Sequence, residues 1–257
     1  MSADAATAPV PQATARWRDG ILALLVILAL WQLVAFWGGS SVMTSPLETA
    51  RHAVEMIGQA RFWPHLRETM TAYAGALAIA VFGGVGLGVL LGAHRLTGDV
   101  AEPIFVALYS IPKVTLYPVL LLTFGLGIQA KIAFGALHGI IPITIFTLNA
   151  VRQVNRTWLR TARAMSLTPG QTVRHVLIPA TVPEIFSGLR IGLALTMLGT
   201  MLGELFASQR GLGFLLMTAI DIHDMRTIMA IALMITVFAW AMNSLMLAID
   251  RRLHRRL

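Results

Sequence analysis

The sequence predicts an all-α integral membrane protein with six transmembrane helices, on three observations. Its 257 residues are 56% hydrophobic and 12% charged, against about 25% charged in ordinary soluble domains. The apolar residues gather into six runs, each near the roughly 20 residues a helix needs to cross a bilayer. Every arginine except Arg190 falls outside those runs.

Composition removes several classes of function. The chain has no cysteine, so neither disulfides nor thiol–metal sites enter. Twenty Lys and Arg against twelve acids give a net charge of +8. Only Lys113 and Lys131 are lysines, and the arginines cluster between apolar runs. Membrane topology explains that pattern, and nucleic acid is not an expected partner.

Residues 1–15 are rich in Ala, Thr and Pro and are expected to form a disordered cytoplasmic tail. Residues 16–65 hold the first span and an outer loop. The run Ile21 to Trp37 follows Arg16 and Arg18 and has no small-residue cleavage site after it, which predicts a retained span. Ser45-Pro46 then opens an amphipathic helix from Leu47. The second span runs from about Thr71 to Ala93. Gly84, Gly88 and Gly92 fall four apart on one face of it, where another helix can approach closely.

The third span, Pro103 to Phe124, is expected to be interrupted by Pro112 and Pro118. The fourth covers Ile132 to Leu148 with Pro142 inside it, the fifth Ile185 to Ala207, and the sixth Thr227 to Ile249. A basic cytoplasmic tail, 251–257, closes the chain. Six spans place both termini on one side. With that side inside, the inner segments carry twelve basic residues and the outer segments six, in the positive-inside direction.

Between the fourth and fifth spans lies a polar island, Asn155 to Pro179. Arg156, Arg160 and Arg163 recur at helical spacing on one side, opposite Trp158, Ala162 and Met165. Thr168 is placed to cap a second helix, with Pro169 at its first position and Gln171 completing a capping box. Pro179 is expected to close the unit. The island is thus two short helices joined by a capped turn at the cytoplasmic surface.

No motif for bond chemistry is present. There is no G-x-x-x-x-G-K-[ST], no H-E-x-x-H and no G-x-S-x-G. Neither a cofactor nor a metal is expected. Four ionisable residues lie within or at the edges of spans: Lys113, His138, Arg190 and Glu204. Such residues are costly in lipid and face a cavity or a partner. Lys113 and Arg190 either line a path or snorkel to the interface. His138 is a path residue or a hydrogen-bonded packing residue. Glu204 either contacts substrate or makes a structural hydrogen bond.

The island also carries a resemblance. Permease subunits of binding-protein-dependent ABC importers have a cytoplasmic loop of the form EAA, three residues, Gly, nine residues, I-x-L-P. Here Arg160-Thr161-Ala162, Ser166 and Val176-Leu177-Ile178-Pro179 keep that spacing, with Arg160 in place of Glu and Ser166 in place of Gly. The stretches IPKVTLYPVLLLTFGLG and GLRIGLALTMLGTMLGELFASQRGLGFLL resemble the branch that imports sulfonates, taurine, nitrate and thiamine-precursor pyrimidines. Glu204 matches an acidic position recurrent in the family.

The resemblance implies a type I ABC importer permease fold over residues 66–250, with a coupling loop at 152–179. Its coupling residues would be Arg160, Thr161, Ala162, Arg163, Ser166, Thr168, Pro169, Gly170, Val176, Ile178 and Pro179. It implies two ABC ATPase subunits as partners, a periplasmic or lipid-anchored substrate-binding protein, and a second copy of the chain. It places the chain in a bacterial inner membrane, as a permease rather than an enzyme. The competing class is a secondary transporter driven by an ion gradient, which would favour an intramembrane carboxylate relay. A membrane scaffold protein is a third class, and it would not need the proline-broken third span.

Overall fold

The computed structural model describes residues 13–39, 42–206 and 208–254. All regular structure among them is helical. The elements are α1 (Ala13–Gly38), α2 (Pro46–Gly58), α3 (Phe62–Gly92), α4 (Arg95–Ser110), α5 (Tyr117–Phe124) and α6 (Ile128–Arg152). They are followed by α7 (Arg156–Ala164), α8 (Pro169–Thr172), α9 (Ile178–Phe206), α10 (Leu212–Asp221) and α11 (Met225–His254). A 3₁₀ turn, Lys113–Leu116, precedes α5, and a π-helical turn, Val173–Leu177, joins α8 to α9.

At the centre, α6 packs along α3 on one side and α9 on the other. Small residues set both contacts. A Cβ on Gly84 would fall 2.7 Å from Ile143 Cβ, and one on Gly88 2.5 Å from Thr147 Cβ and 2.9 Å from the Thr144 carbonyl oxygen. At Gly92 it would meet the Leu148 carbonyl oxygen at 3.0 Å. The predicted glycine face therefore lies against α6 of the same chain. On the other side, Gly135 and Gly139 meet Thr200 and Thr196 of α9, while Gly192 meets Ile143. Without a hydrophobic drive between helices in lipid, such close backbone approach supplies much of the attraction.

Five helical stretches are long and apolar enough to cross a membrane: Arg18–Gly38, Phe62–Gly92, Ile128–Arg152, Pro169–Phe206 and Met225–Ile249. The expected third span is not one straight helix. Arg95–Ser110 and Lys113–Phe124 meet at 86° and make a sixth span only if counted together. Pro103 lies inside α4 rather than opening the span. Pro112 sits at the bend. Pro118, expected to interrupt, falls in the first turn of α5, where its missing N–H costs nothing.

Other boundaries shift for a common reason. Apolarity marks the part of a helix in hydrocarbon, and these helices continue beyond it. The second span begins at Phe62, not Thr71, and at 31 residues reaches about 46 Å, longer than the roughly 30 Å hydrocarbon core. The expected disordered tail is helical from Ala13, and residues 1–12 lie outside the described residues. The carboxy-terminal tail continues α11 through His254, with 255–257 outside the described residues. The predicted amphipathic helix is α2, where Ser45 Oγ accepts from the Glu48 N–H at 3.3 Å and Pro46 occupies the first turn.

Pro179 does not close the island. Helix runs unbroken from Pro169 to Phe206, 38 residues. Within the π turn the Ile178 N–H donates to the Val173 carbonyl, five residues back. That wider turn moves aside the carbonyl a proline ring would strike four residues earlier, so the helix passes through.

Candidate functional site

The island between α6 and α9 is built from local signals. Asn155 Oδ1 accepts from the Thr157 N–H at 2.9 Å and caps α7. The helix ends where Ser166 takes φ 55°. There the Ser166 N–H bonds the Arg163 carbonyl at 2.9 Å and the Leu167 N–H bonds Ala162 at 3.0 Å. These two bonds form a Schellman stop, whose left-handed residue is most easily a glycine. The next helix opens with the anticipated capping box. Gln171 Oε1 accepts from the Thr168 N–H at 2.9 Å, and Thr168 Oγ1 accepts from the Gln171 N–H at 3.4 Å.

Folding α7 back against the π turn leaves a cavity of about 470 Å³, lined by Trp158, Ala162, Met165, Leu167, Val176 and Pro179 among others. Ala162 is buried, while Arg160, Thr161, Arg163, Ser166, Thr168, Pro169, Gly170 and Ile178 are exposed. The island thus offers an apolar groove and a separate cationic face.

At the end of the core opposite the island sits a cluster that sequence reasoning saw only in part. Glu204 is wholly buried. Thr69 Oγ1 lies 2.9 and 2.8 Å from its two oxygens, and the Gly213 N–H donates to it at 2.9 Å. Lys131 Nζ stands 4.0 Å from Glu204, 3.1 Å from Glu68 and 2.7 Å from the Arg210 carbonyl oxygen to which it donates. Thr69 Oγ1 accepts from the Leu212 N–H at 2.8 Å, and His65 Nδ1 from Gly211 at 3.2 Å. Gly211, at φ 127°, is the residue whose Cβ would meet the Glu204 carboxyl at 2.3 Å. Together these bonds lock α3, α6 and α9 to the start of α10.

Lys131, counted in the sequence among outer-segment charges, is in fact 2% exposed. Its role, with Glu68 and Thr69, was not anticipated. The available signal was Glu204 itself, since a carboxylate in a span requires a partner. The hydrogen bonds found at Glu204 among the described residues come from Thr69 and Gly213 of the same chain. His138 is likewise buried, its Nδ1 2.9 Å from the Phe134 carbonyl oxygen and its ring edge-on to Phe134 at 4.6 Å.

The two span cations stand apart from these. Lys113 is half-buried at the α4–α5 bend, donating to the Tyr109 carbonyl at 3.0 Å and lying over that ring. Arg190 is exposed on α9 and borders an apolar cavity of about 640 Å³ with Tyr73, Met197, Met201, Trp240 and Asn243. At the island end, Arg152 ties α6 to α4 through Glu102 at 2.5 Å and through Asp99.

A glycine-packed helical core, a bent third span and a capped polar island define a membrane transport subunit of the type I importer architecture. In the solved inward-facing MetNI methionine ABC transporter, native crystal form, one chain superposes with a TM-score of 0.63 at 22% identity. That match covers 76% of this chain and 98% of the other.

The family model described as "binding-protein-dependent transport system inner membrane component" matches residues 84–257. A Bacillus subtilis (strain 168) protein named as an aliphatic sulfonates transport permease is 28% identical, covering 92% of this chain and 87% of its own. The Escherichia coli K12 taurine transport system permease is 27% identical over 90% of this chain and 86% of its own. The formylaminopyrimidine transport permease of Halalkalibacterium halodurans is 28% identical over 75% and 77%. The chain belongs to this family of inner-membrane components and is a permease subunit of an ABC importer.

Proposed function

We propose that two copies of this chain form the alternating-access path for a small solute, with both termini cytoplasmic. A separate substrate-binding protein delivers the solute, and two separate ATPase subunits hydrolyse ATP. The energy enters mechanically through the island, and no bond is broken on this chain. The island's construction supports this reading. Its two helices are fixed by a Schellman stop and a capping box, and the second is continuous with the long α9 helix. A force applied at α8 is therefore carried into the core.

Disrupting the corner tests the reading. Thr168→Ala removes a cap worth about 1 kcal/mol, and Pro169→Gly loosens the first turn. The double variant is expected to assemble with its ATPase subunits and show little substrate-stimulated ATP hydrolysis. Full coupling in that variant would remove the island from the mechanism.

For the solute, we favour a small oxyanion such as a sulfonate over a neutral heterocycle. Lys113 is half-buried at the α4–α5 bend and Arg190 exposed on α9, and among the described residues neither has an acidic partner. Free cations on a path offset the cost of bringing an anion into low dielectric. A charged hydrogen bond is worth about 1.5–3 kcal/mol. Lys113→Met and Arg190→Met should therefore each slow anion uptake by about tenfold or more in vesicles with the cognate binding protein and ATPase. Uptake at the wild-type rate with intact assembly would make both residues interfacial anchors.

A further inference from the structure

We propose that the arginine face of α7 recognises a carboxylate-lined cleft on the ATPase subunit, so that charge decides which ATPase this permease accepts. The proposal rests on the docking role of the island. At 100° per residue, Arg156, Arg160 and Arg163 fall within an arc of about 60°, opposite Trp158, Ala162 and Met165. All three are exposed, as are Arg174 and His175 on the adjoining turn. Among the described residues none of the five forms an ion pair. The sequence supplies no local counter-charge either, since no Asp or Glu occurs from Pro103 to Pro183.

A solvated face normally intersperses both signs; this one carries a single sign. Arg156 also stands at the first position of α7, with no acid in that turn. A cation at a helix amino terminus opposes the helix dipole, so local stability does not account for it. The positive-inside bias accounts for the sign of the charge in this segment but not for a cation placed in the first turn of α7. A local rule broken without local compensation points to a partner. Guanidinium groups suit that partner, because they pair with carboxylates through two parallel hydrogen bonds.

Position favours a protein over lipid. The helix from Pro169 to Phe206 has 38 residues, about 57 Å, whereas a bilayer with its headgroups measures about 40–45 Å. With Phe206 at the outer boundary, α8 stands clear of the inner headgroups. The α7 helix packs beside Val173–Leu177, at the headgroup margin or beyond it.

The test titrates the ATPase subunits of the coupling assay onto the full chain in nanodiscs. The discs contain either phosphatidylcholine alone or phosphatidylcholine with phosphatidylglycerol. Salt is raised from 0.1 to 1 M, over which the Debye length falls from about 10 to about 3 Å. Wild type should lose affinity steeply with salt in both discs. The triple variant Arg156→Gln/Arg160→Gln/Arg163→Gln should bind about 30-fold more weakly at low salt and respond little to salt. Should the triple variant misfold, the single exposed site decides. Arg160→Lys should bind close to wild type and Arg160→Glu clearly worse.

Equal affinity and equal salt response in wild type and the triple variant, or no difference between Arg160→Lys and Arg160→Glu, overturns the proposal. So does an effect seen only in the phosphatidylglycerol discs, which would assign the face to the membrane. The Thr168→Ala/Pro169→Gly variant separates the two levels. If it uncouples while the arginine variants bind normally, docking stands and charge recognition falls. If neither set changes anything, docking falls as well.

Discussion

Gly88→Leu is expected to prevent α3 from seating on α6 and to leave little folded permease in detergent. The added Cβ alone would meet Thr147 Cβ at 2.5 Å and the Thr144 carbonyl oxygen at 2.9 Å. A side chain can rotate away, but a carbonyl in the middle of a helix moves only with the helix. Overpacking commonly costs 1–3 kcal/mol, occasionally more, and contact with backbone puts this site at or above the top of that range. Gly86 is the control: a Cβ there meets nothing within 4 Å, so Gly86→Leu should stay within about 0.5 kcal/mol of wild type. Thermal unfolding of the two purified variants makes the comparison. Equal stability would mean that the α3–α6 contact is looser than the geometry states.

Lys131→Met is expected to destabilise the end of the core opposite the island by about 3–5 kcal/mol, the usual result of removing one partner of a buried ion pair. Glu204 would keep its bonds from Thr69 and Gly213. However, Glu204 and Glu68 would then lack the cation that lies near both. Adding Glu204→Gln should recover part of the loss, because an amide keeps the shape without the charge. A double-mutant cycle on unfolding midpoints measures that recovery. Strict additivity would show that the lysine and Glu204 are not coupled.

These two sites differ in how far the sequence discloses them. The glycine face was legible because its spacing of four is a property of one helix, though not which helix it meets. The capping box at Thr168 and Gln171 was legible for a similar reason, as its partners are three residues apart. The Glu204 cluster was not. Its hydrogen bond from Thr69 spans 135 residues of sequence, and no local pattern specifies such a pairing. The sequence shows only that a buried carboxylate needs a partner. Lys131 looked like an ordinary outer charge because topology counting sees side of membrane and not burial. Pro179 misled in the opposite way. A proline stops a regular α-helix, but whether the preceding turn is α or π lies outside any proline rule.

The helix that passes through Pro179 has a mechanical consequence. From Pro169 to its close contact at Gly192 it extends about 35 Å, and from Gly192 to Phe206 about 21 Å, at 1.5 Å per residue. Tilting about that glycine fulcrum sends its two ends in opposite directions, the Phe206 end by about six-tenths of the stroke at the Pro169 end. Two prolines and a π turn lie within eleven residues on the long arm, and none interrupts the short one. The compliance of this lever is therefore concentrated on the side of the island, and the arm that bears Glu204 is the stiffer piece.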